Sequence, residues 1–441
     1  WTNVGRNLPG VKAGSWIPYI ELSKKNAGEA FIIVNDYRRN DWRPMAFHTT
    51  DFGATFRRIV DESQVNGHAL SIVQDPVEEN LLWLGTDYGL YVSIDKGRTW
   101  SQWMNGFPSV STRDLKIHPR EHDLIVGTFG RAAWILDDIR PIREIARTGG
   151  KVLAQDFKVF EAPDAYQANY RSYDGIRFAA NGEYIADNRG RGAMLTLWVK
   201  PEDKMTAKKE MAEVKNQKSN KKSSKKEEEG KEEMESADKE KKGKKKRPEK
   251  VKINVINSAG DTIRTYSTKV DTGMNRIYWN MRHDGVRYPS RREAKPDDNM
   301  PSGYMVKPGT YKLVFTFGEA KDSTMVNVKF DPRMDASTYD FDAIASTYEE
   351  YYDVVEAAAK GFSQLQQVKK TIGLVDKALV NAPDSTLKEI KEMGKTLKDS
   401  IKVIEKLYMQ PEGMKGIQRT SDNLLSTLYN VSGYLSDMEN K

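Results

Sequence analysis

The sequence predicts a mainly β protein with an α-helical C-terminus, organised as a partial β-propeller, a β-sandwich and a helical bundle. Three observations predict this class. An eight-residue pattern recurs 44 residues apart within the first 100 residues, a period typical of propeller blades. Short apolar runs separated by Pro and Gly turns fill the middle of the chain and indicate strands. From residue 338 onward, apolar residues recur at helical spacing.

Composition limits the function classes. The chain has 441 residues, which predicts two to four domains at ~100–200 residues each. It contains no cysteine, and this excludes disulfide scaffolds, cysteine-ligated metal and thiol catalysis. No apolar run approaches the ~18 residues that a membrane span needs, so we expect no transmembrane segment.

The net charge of +7 is concentrated in one tract. Residues 201–250 hold 18 Lys+Arg and 13 Asp+Glu, a local net of +5, and contain no aromatic residue. Single-stranded nucleic acid is bound by aromatic side chains as well as by charge, so we expect no specific nucleic-acid partner. The mixed-sign Lys/Glu composition predicts a disordered insertion over 201–249, with binding of the tract to nucleic acid or to an anionic surface as the alternative.

The recurring pattern is S-x-D-x-G-x-T-W. The two full copies occupy 49–56 and 93–100, and their defining residues are Thr49, Asp51, Gly53, Phe56, Ser93, Asp95, Gly97 and Trp100. A second shared element, Gly-Thr after an apolar run, recurs 42 residues apart at 85–86 and 127–128. We therefore expect the last blades of a propeller over 1–145. Trp1 is expected to end a third copy, in a chain that is the C-terminal part of a longer protein.

The eight-residue pattern resembles the Asp box, or BNR repeat, of sialidases, xyloglucan-degrading glycosidases and sortilin/VPS10 receptors. Runs such as Ala30–Pro44 and Gly127–Asp138 are similar to large exported bacterial proteins of the VPS10/sortilin-like BNR group, often labelled glycosyl hydrolases. The resemblance implies a structural role for the box residues, on the blade rim. It also implies a secreted, periplasmic or cell-surface location, with association with the cell surface or outer membrane as one form.

The remaining chain divides in two. Alternating runs over 146–200 and 250–335 predict a β-sandwich, and its Pro308-Gly309-Thr-Tyr element resembles an immunoglobulin-like module. Helical stripes over 336–441, interrupted near Pro383 and Pro411, predict a three-helix bundle. On the first of these helices, Tyr348, Tyr351 and Tyr352 are expected in the core.

The candidate ligand site is an aromatic and charged segment between two predicted strands. Aromatic rings interleaved with Arg and Asp suit sugar stacking or carboxylate capture, with a blade-packing insert as the alternative. The candidate residues are Tyr37, Arg39, Asp41, Trp42, Arg43 and, in a later hairpin, Arg131. No pattern indicates a catalytic residue, a metal site or a cofactor.

These observations predict a propeller-based binding or scaffold protein with a protein or glycan partner, and the resemblance implies that it is exported. The alternative is a glycoside hydrolase. Its two carboxylates, ~5–10 Å apart, would come from blades outside this chain.

Overall fold

The computed structural model describes residues 2–168, 189–201, 250–379, 384–411 and 422–439. The predictions for Trp1 and for the charged tract fall on residues outside these ranges, apart from Pro201. Within them the protein is mainly β, with several antiparallel sheets followed by helices. The predicted class, mainly β with a helical C-terminus, is thereby confirmed.

Residues 16–136 form three sheets in which the strands follow chain order. All neighbouring strands in these sheets are antiparallel. The first sheet contains β1 (Trp16–Leu22), β2 (Ala30–Asp36), β3 (Asp41–Thr49) and β4 (Arg57–Arg58). The second contains β5 (Ala69–Gln74), β6 (Leu82–Thr86), β7 (Gly89–Ser93) and β8 (Ser101–Gln102). The third contains β9 (Thr112–Ile117), β10 (Leu124–Thr128) and β11 (Ala133–Leu136).

The three sheets pack face to face through two apolar layers. Phe31, Ile33 and Ile72 belong to the layer between the first and second sheets. Trp83, Leu115 and Val126 belong to the layer between the second and third. Every residue of β5 is buried, because β1 and β9 both lie beside it. The first strands of successive sheets are therefore neighbours.

The third sheet leads into helix α1 (Arg140–Arg147). Its Arg143 is 3% exposed and donates from Nε to both carboxylate oxygens of Asp75, at 2.8 and 2.9 Å. A second donor, Nη1, lies 2.9 Å from Nδ1 of His122. A buried ion pair thus fixes α1 against the second sheet.

Two further sheets pack around one core that includes Leu195, Ile253 and Phe315. One sheet has the order β12 (Phe157–Val159), β14 (Ala193–Val199), β17 (Gly273–Trp279). The other has the order β13 (Ala165–Gln167), β21 (Ala320–Phe330), β20 (Gly309–Phe317), β15 (Lys250–Ile256), β16 (Thr262–Lys269). β13 pairs with β21 in parallel. A small ladder joins β18 (Arg282–Asp284) to β19 (Ser302–Met305).

Three helices follow: α2 (Phe341–Ala378), α3 (Asp384–Tyr408) and α4 (Leu424–Glu439). Tyr348 and Tyr351 are buried at 5% and 8% exposure, and Tyr352 packs beside them, as expected for core residues. Farther along α2, the predicted apolar stripe is exposed at Val368 and Val375. In this region Ile372 is buried, and the ion pairs Lys369–Glu405 and Lys398–Asp376 also link α2 to α3. Among the described residues, none of the helices combines the length and the apolar character needed to cross a bilayer.

Candidate functional site

In the first three sheets the turns lie at two opposite ends of the strands. Because neighbouring strands are antiparallel, the start of each first strand lies at the same end as the connection from the second strand to the third. We call this the hairpin end; it carries the connections at 37–40, 87–88 and 129–132. The turns from third to fourth strand, which hold the eight-residue repeats, lie at the opposite end.

The two repeats form turns with matching hydrogen bonds. In each, the first hydroxyl donates to the Asp carboxylate at 2.8 Å, and the glycine N–H donates to that hydroxyl at 3.0 or 2.9 Å. The same carboxylate accepts the N–H of the second Thr at 2.9 Å in both copies. The residues involved are Thr49, Asp51, Gly53, Thr55, Ser93, Asp95, Gly97 and Thr99. Their polar groups are therefore occupied in holding the turns.

The aromatic residue that closes each repeat differs in environment. Trp100 is buried and donates from Nε1 to the carbonyl of Ile59 at 2.7 Å, which connects the second repeat to the segment after β4. Phe56 packs beside the apolar cluster of Phe47 and Leu8 on the outer face of the first sheet. Both rings contribute to packing.

At the hairpin end, Trp42 is part of a three-ring cluster. Its ring centroid lies 5.7 Å from those of both Tyr37 and His68, and Tyr37 stacks on His68 at 5.1 Å. Asn40, in the left-handed conformation that Asn tolerates, accepts a hydrogen bond from Trp42 Nε1 at 3.0 Å. Trp42 remains 54% exposed. Trp42 is thus an exposed ring that half-buried Tyr37, buried His68 and Asn40 hold in a fixed orientation.

The charged candidates near this cluster are held by intramolecular bonds. Arg43 makes a two-pronged contact with Asp41, with Nε–Oδ1 at 2.8 Å and Nη2–Oδ2 at 2.7 Å, and this contact lowers the pKa of Asp41 to about 2. Arg39 donates to Asp36 at 2.8 Å and to Ser15 Oγ at 2.7 Å. Arg39 therefore ties the N-terminal segment to the β2–β3 connection.

The structure adds His68, which the sequence did not single out. It is 5% exposed. Burial lowers its pKa, Asp87 raises it and Arg113 lowers it further, so the imidazole is neutral at neutral pH. The available signal was its position immediately before the apolar run of β5, since a strand start lies at the hairpin end.

Arg131 lies in the connection between β10 and β11, at the same end as Trp42. Its side chain is exposed, and its carbonyl accepts a hydrogen bond from Trp134 Nε1 at 2.9 Å. Two neighbours were also missed by sequence reasoning. Phe129 is 72% exposed, and the guanidinium carbon of Arg113 lies 5.4 Å from its ring centroid. The hairpin end thus carries aromatic and cationic side chains from more than one sheet.

Comparison with known proteins gives limited similarity. No family model and no curated protein matches the chain. Among solved structures, an ancestral GH74 enzyme matches with a TM-score of 0.23 and 14% identity, over 27% of this chain and 14% of that one. The GH74 xyloglucanase from Xanthomonas campestris matches with a TM-score of 0.24 and 16% identity, over 30% of this chain and 23% of that one. Likeness of this extent does not identify an activity.

Proposed function

We propose that the chain is part of an exported binding protein whose first three sheets are propeller blades that hold a glycan at the hairpin end. The single observation that carries this proposal is the exposed Trp42 ring, fixed by Tyr37, His68 and Asn40. Sugar rings present flat C–H faces to such rings, and a ring already held in place loses little conformational entropy on binding. A protein partner is the other outcome of the same surface.

The sheet arrangement supports the propeller interpretation. Each sheet follows chain order, the first strands lie beside one another, and the Asp-box-like turns project from the opposite end. We extend the proposal to the domain division: blades over 1–145, an immunoglobulin-like sandwich over 146–200 and 250–335, a disordered insertion over 201–249, and a helical bundle over 336–441. An extracytoplasmic location, as secreted, periplasmic or cell-surface protein, belongs to the same proposal.

The candidate carboxylate, Asp41, does not supply the general acid that a glycoside hydrolase needs. Asp41 is held by Arg43, and its pKa of about 2 keeps it ionised at neutral pH. A general acid must carry a proton at the working pH. A hydrolase would therefore need another carboxylate as its general acid, and release of new reducing ends from a polysaccharide panel by the full-length protein would establish that activity.

The test of binding is Trp42→Ala, assayed against immobilised polysaccharides. We expect affinity to fall by about tenfold, since an aromatic contact contributes about 0.5–1.5 kcal/mol beyond its buried area. Tyr434→Ala is the matched control, because Tyr434 is 74% exposed on α4 and far along the chain from the hairpin end. Equal affinity in the Trp42 variant and the wild type would contradict the proposal.

A further inference from the structure

Cationic and aromatic side chains alternate along the hairpin end. The guanidinium carbon of Arg38 lies 5.0 Å from the ring centroid of Trp16 and 5.4 Å from that of Tyr37. Tyr37 in turn stacks on His68. This part of the surface belongs to the start of β1, the β2–β3 connection and the residue before β5.

The alternation continues onto the third sheet. Arg113 is on β9, which lies beside β5, the strand that His68 precedes, and its guanidinium carbon lies 5.4 Å from the ring centroid of Phe129. Arg131 follows two residues after Phe129 and is exposed. We call the whole set the arginine–aromatic band; its members are Trp16, Tyr37, Arg38, Trp42, His68, Arg113, Phe129 and Arg131.

The charge of the band is positive. The carboxylates of Asp36 and Asp41 are matched by Arg39 and Arg43. Within the described residues, no ion pair joins Arg38, Arg113 or Arg131 to a carboxylate, and Asp87 is the acidic group that acts on His68. The band itself holds three guanidinium groups and no carboxylate, and with Asp87 and Asp114 beside it the balance is still positive; rings beneath two of these groups orient their flat faces.

The geometry points to an acidic polysaccharide, one that carries carboxylate or sulfate groups on its sugar rings, as the ligand of the arginine–aromatic band. This inference rests on the proposed function and names its substrate class. Sugar rings stack on Trp42 and Trp16, while guanidinium groups form paired hydrogen bonds with carboxylate or sulfate oxygens. A neutral polysaccharide would leave the arginines without partners.

The experiment compares polygalacturonate with the same polymer after methyl esterification, using the full chain. We expect polygalacturonate to bind at least about tenfold more tightly, because esterification removes the charge and keeps the rings. We also expect its binding to weaken as NaCl rises from about 0.05 M to about 0.5 M, because salt screens exposed charges. Chondroitin sulfate, in a parallel titration, distinguishes sulfate from carboxylate recognition.

The variants separate this inference from the proposed function. Arg38→Gln with Arg113→Gln should lower affinity for polygalacturonate about tenfold or more, while Arg98→Gln, in the repeat turn at the opposite end, should leave it unchanged. If both polymers bind equally and Trp42→Ala weakens both, the glycan site stands and the acidic class is wrong. If Trp42→Ala changes neither, the proposed function itself fails.

Discussion

The pair between Asp75 and Arg143 is the most deeply buried ion pair in the described part of the first three sheets. Asp75 is 1% exposed and also accepts the N–H groups of Val77 and Glu78, each at 2.8 Å. Removing one partner of such a pair leaves a buried charge unmatched, which costs more than the pair itself contributes.

We predict that Arg143→Ala lowers the free energy of unfolding by about 3–5 kcal/mol, measured by urea denaturation. Arg147→Ala on the same helix is the control, because Arg147 is largely exposed and lies 3.7 Å from Glu78. It should change stability by less than about 0.5 kcal/mol. Similar losses in both variants would show that α1 itself, rather than the buried pair, is the sensitive element.

A second buried carboxylate links the first two sheets. Glu29 is 2% exposed and lies 2.7 Å from Nε2 of His48, 2.8 Å from Nζ of Lys96 and 2.9 Å from Nδ2 of Asn26. Burial alone would raise the pKa of Glu29, but hydrogen bonds from these three partners outweigh it and lower the pKa to about 2.

Because the pKa of Glu29 is lowered in the folded state, the free energy of unfolding depends on pH in the acidic range. The Glu29 contribution is complete above the unfolded pKa of about 4.5 and is lost as pH falls through about 2. Between about pH 6 and about pH 3, we expect it to account for about 2 kcal/mol of lost stability. Glu29→Gln should be less stable at pH 6 and should show a smaller loss over this range, whereas Glu62→Gln, at an exposed residue, should follow the wild type.

The β2–β3 connection could be recognised as a candidate site from sequence, because aromatic and charged residues alternate there. The role of each residue in it could not be predicted. Arg39 and Arg43 are bound to carboxylates close in sequence, a choice that depends on rotamers. His68 and Arg113 belong to the arginine–aromatic band because the sheets pack together. Both are distant in sequence from the β2–β3 connection, so no local sequence pattern predicts their position there.

At the scale of elements, the repeated hairpins are alike in sequence but not in surroundings. A Cβ on Gly85, in β6, would lie 2.5 Å from the carbonyl oxygen of Thr112 on β9. A Cβ on the equivalent Gly127, in β10, would meet its nearest neighbour, Asp114, at 3.5 Å. The second sheet approaches β9 closely at Gly85, whereas Gly127 has ordinary contact distances.

We predict that Gly85→Ala destabilises the protein by about 1–3 kcal/mol, the usual cost of overpacking, and that Gly127→Ala stays within about 0.5 kcal/mol of the wild type. Thermal unfolding of the two variants measures this difference. Equal melting temperatures would mean that the sheets shift to admit the extra methyl group.

The shared Gly-Thr elements at 85–86 and 127–128 lie in hairpins over 82–93 and 124–136, and glycine with alternating apolar residues specifies such hairpins locally. The parallel pairing of β13 with β21 joins residues more than 150 positions apart and has no local signature. Likewise, the apolar stripe of α2 predicted burial along its length. The structure buries Ile372 but exposes Val368 and Val375, because periodicity does not specify which positions a neighbouring helix covers.

At the scale of the whole molecule, side chains connect the end of the third sheet to strands of the two sheets that share the Leu195 core. Arg276, on β17, donates to the carbonyls of Asp137 and Asp138 before α1. Lys158 on β12 lies 3.5 Å from Glu144 of α1 and 3.6 Å from Asp322 of β21. Polar contacts therefore join the segment after β11 and α1 to β12, β17 and β21.

The charged tract connects two strands that are already held elsewhere. β14 pairs with β12 and β17, and β15 pairs with β16 and β20. We predict that replacing 202–249 with a short Gly/Ser linker leaves the melting temperature within about 2 °C, because neither strand relies on the tract for its pairing. A clear loss of stability would assign the tract a structural role, and a loss of membrane or surface association would assign it a partner.

The first strand has a consequence for handling the protein. β1 pairs only with β2 among the described strands, and Ile20 and Leu22 on it are 57% and 64% exposed. A strand with one open edge and apolar side chains can recruit strands from other molecules. We therefore expect a concentrated sample of this stretch of sequence, prepared by itself, to associate through β1, and turbidity that develops while the sample is still folded would show it.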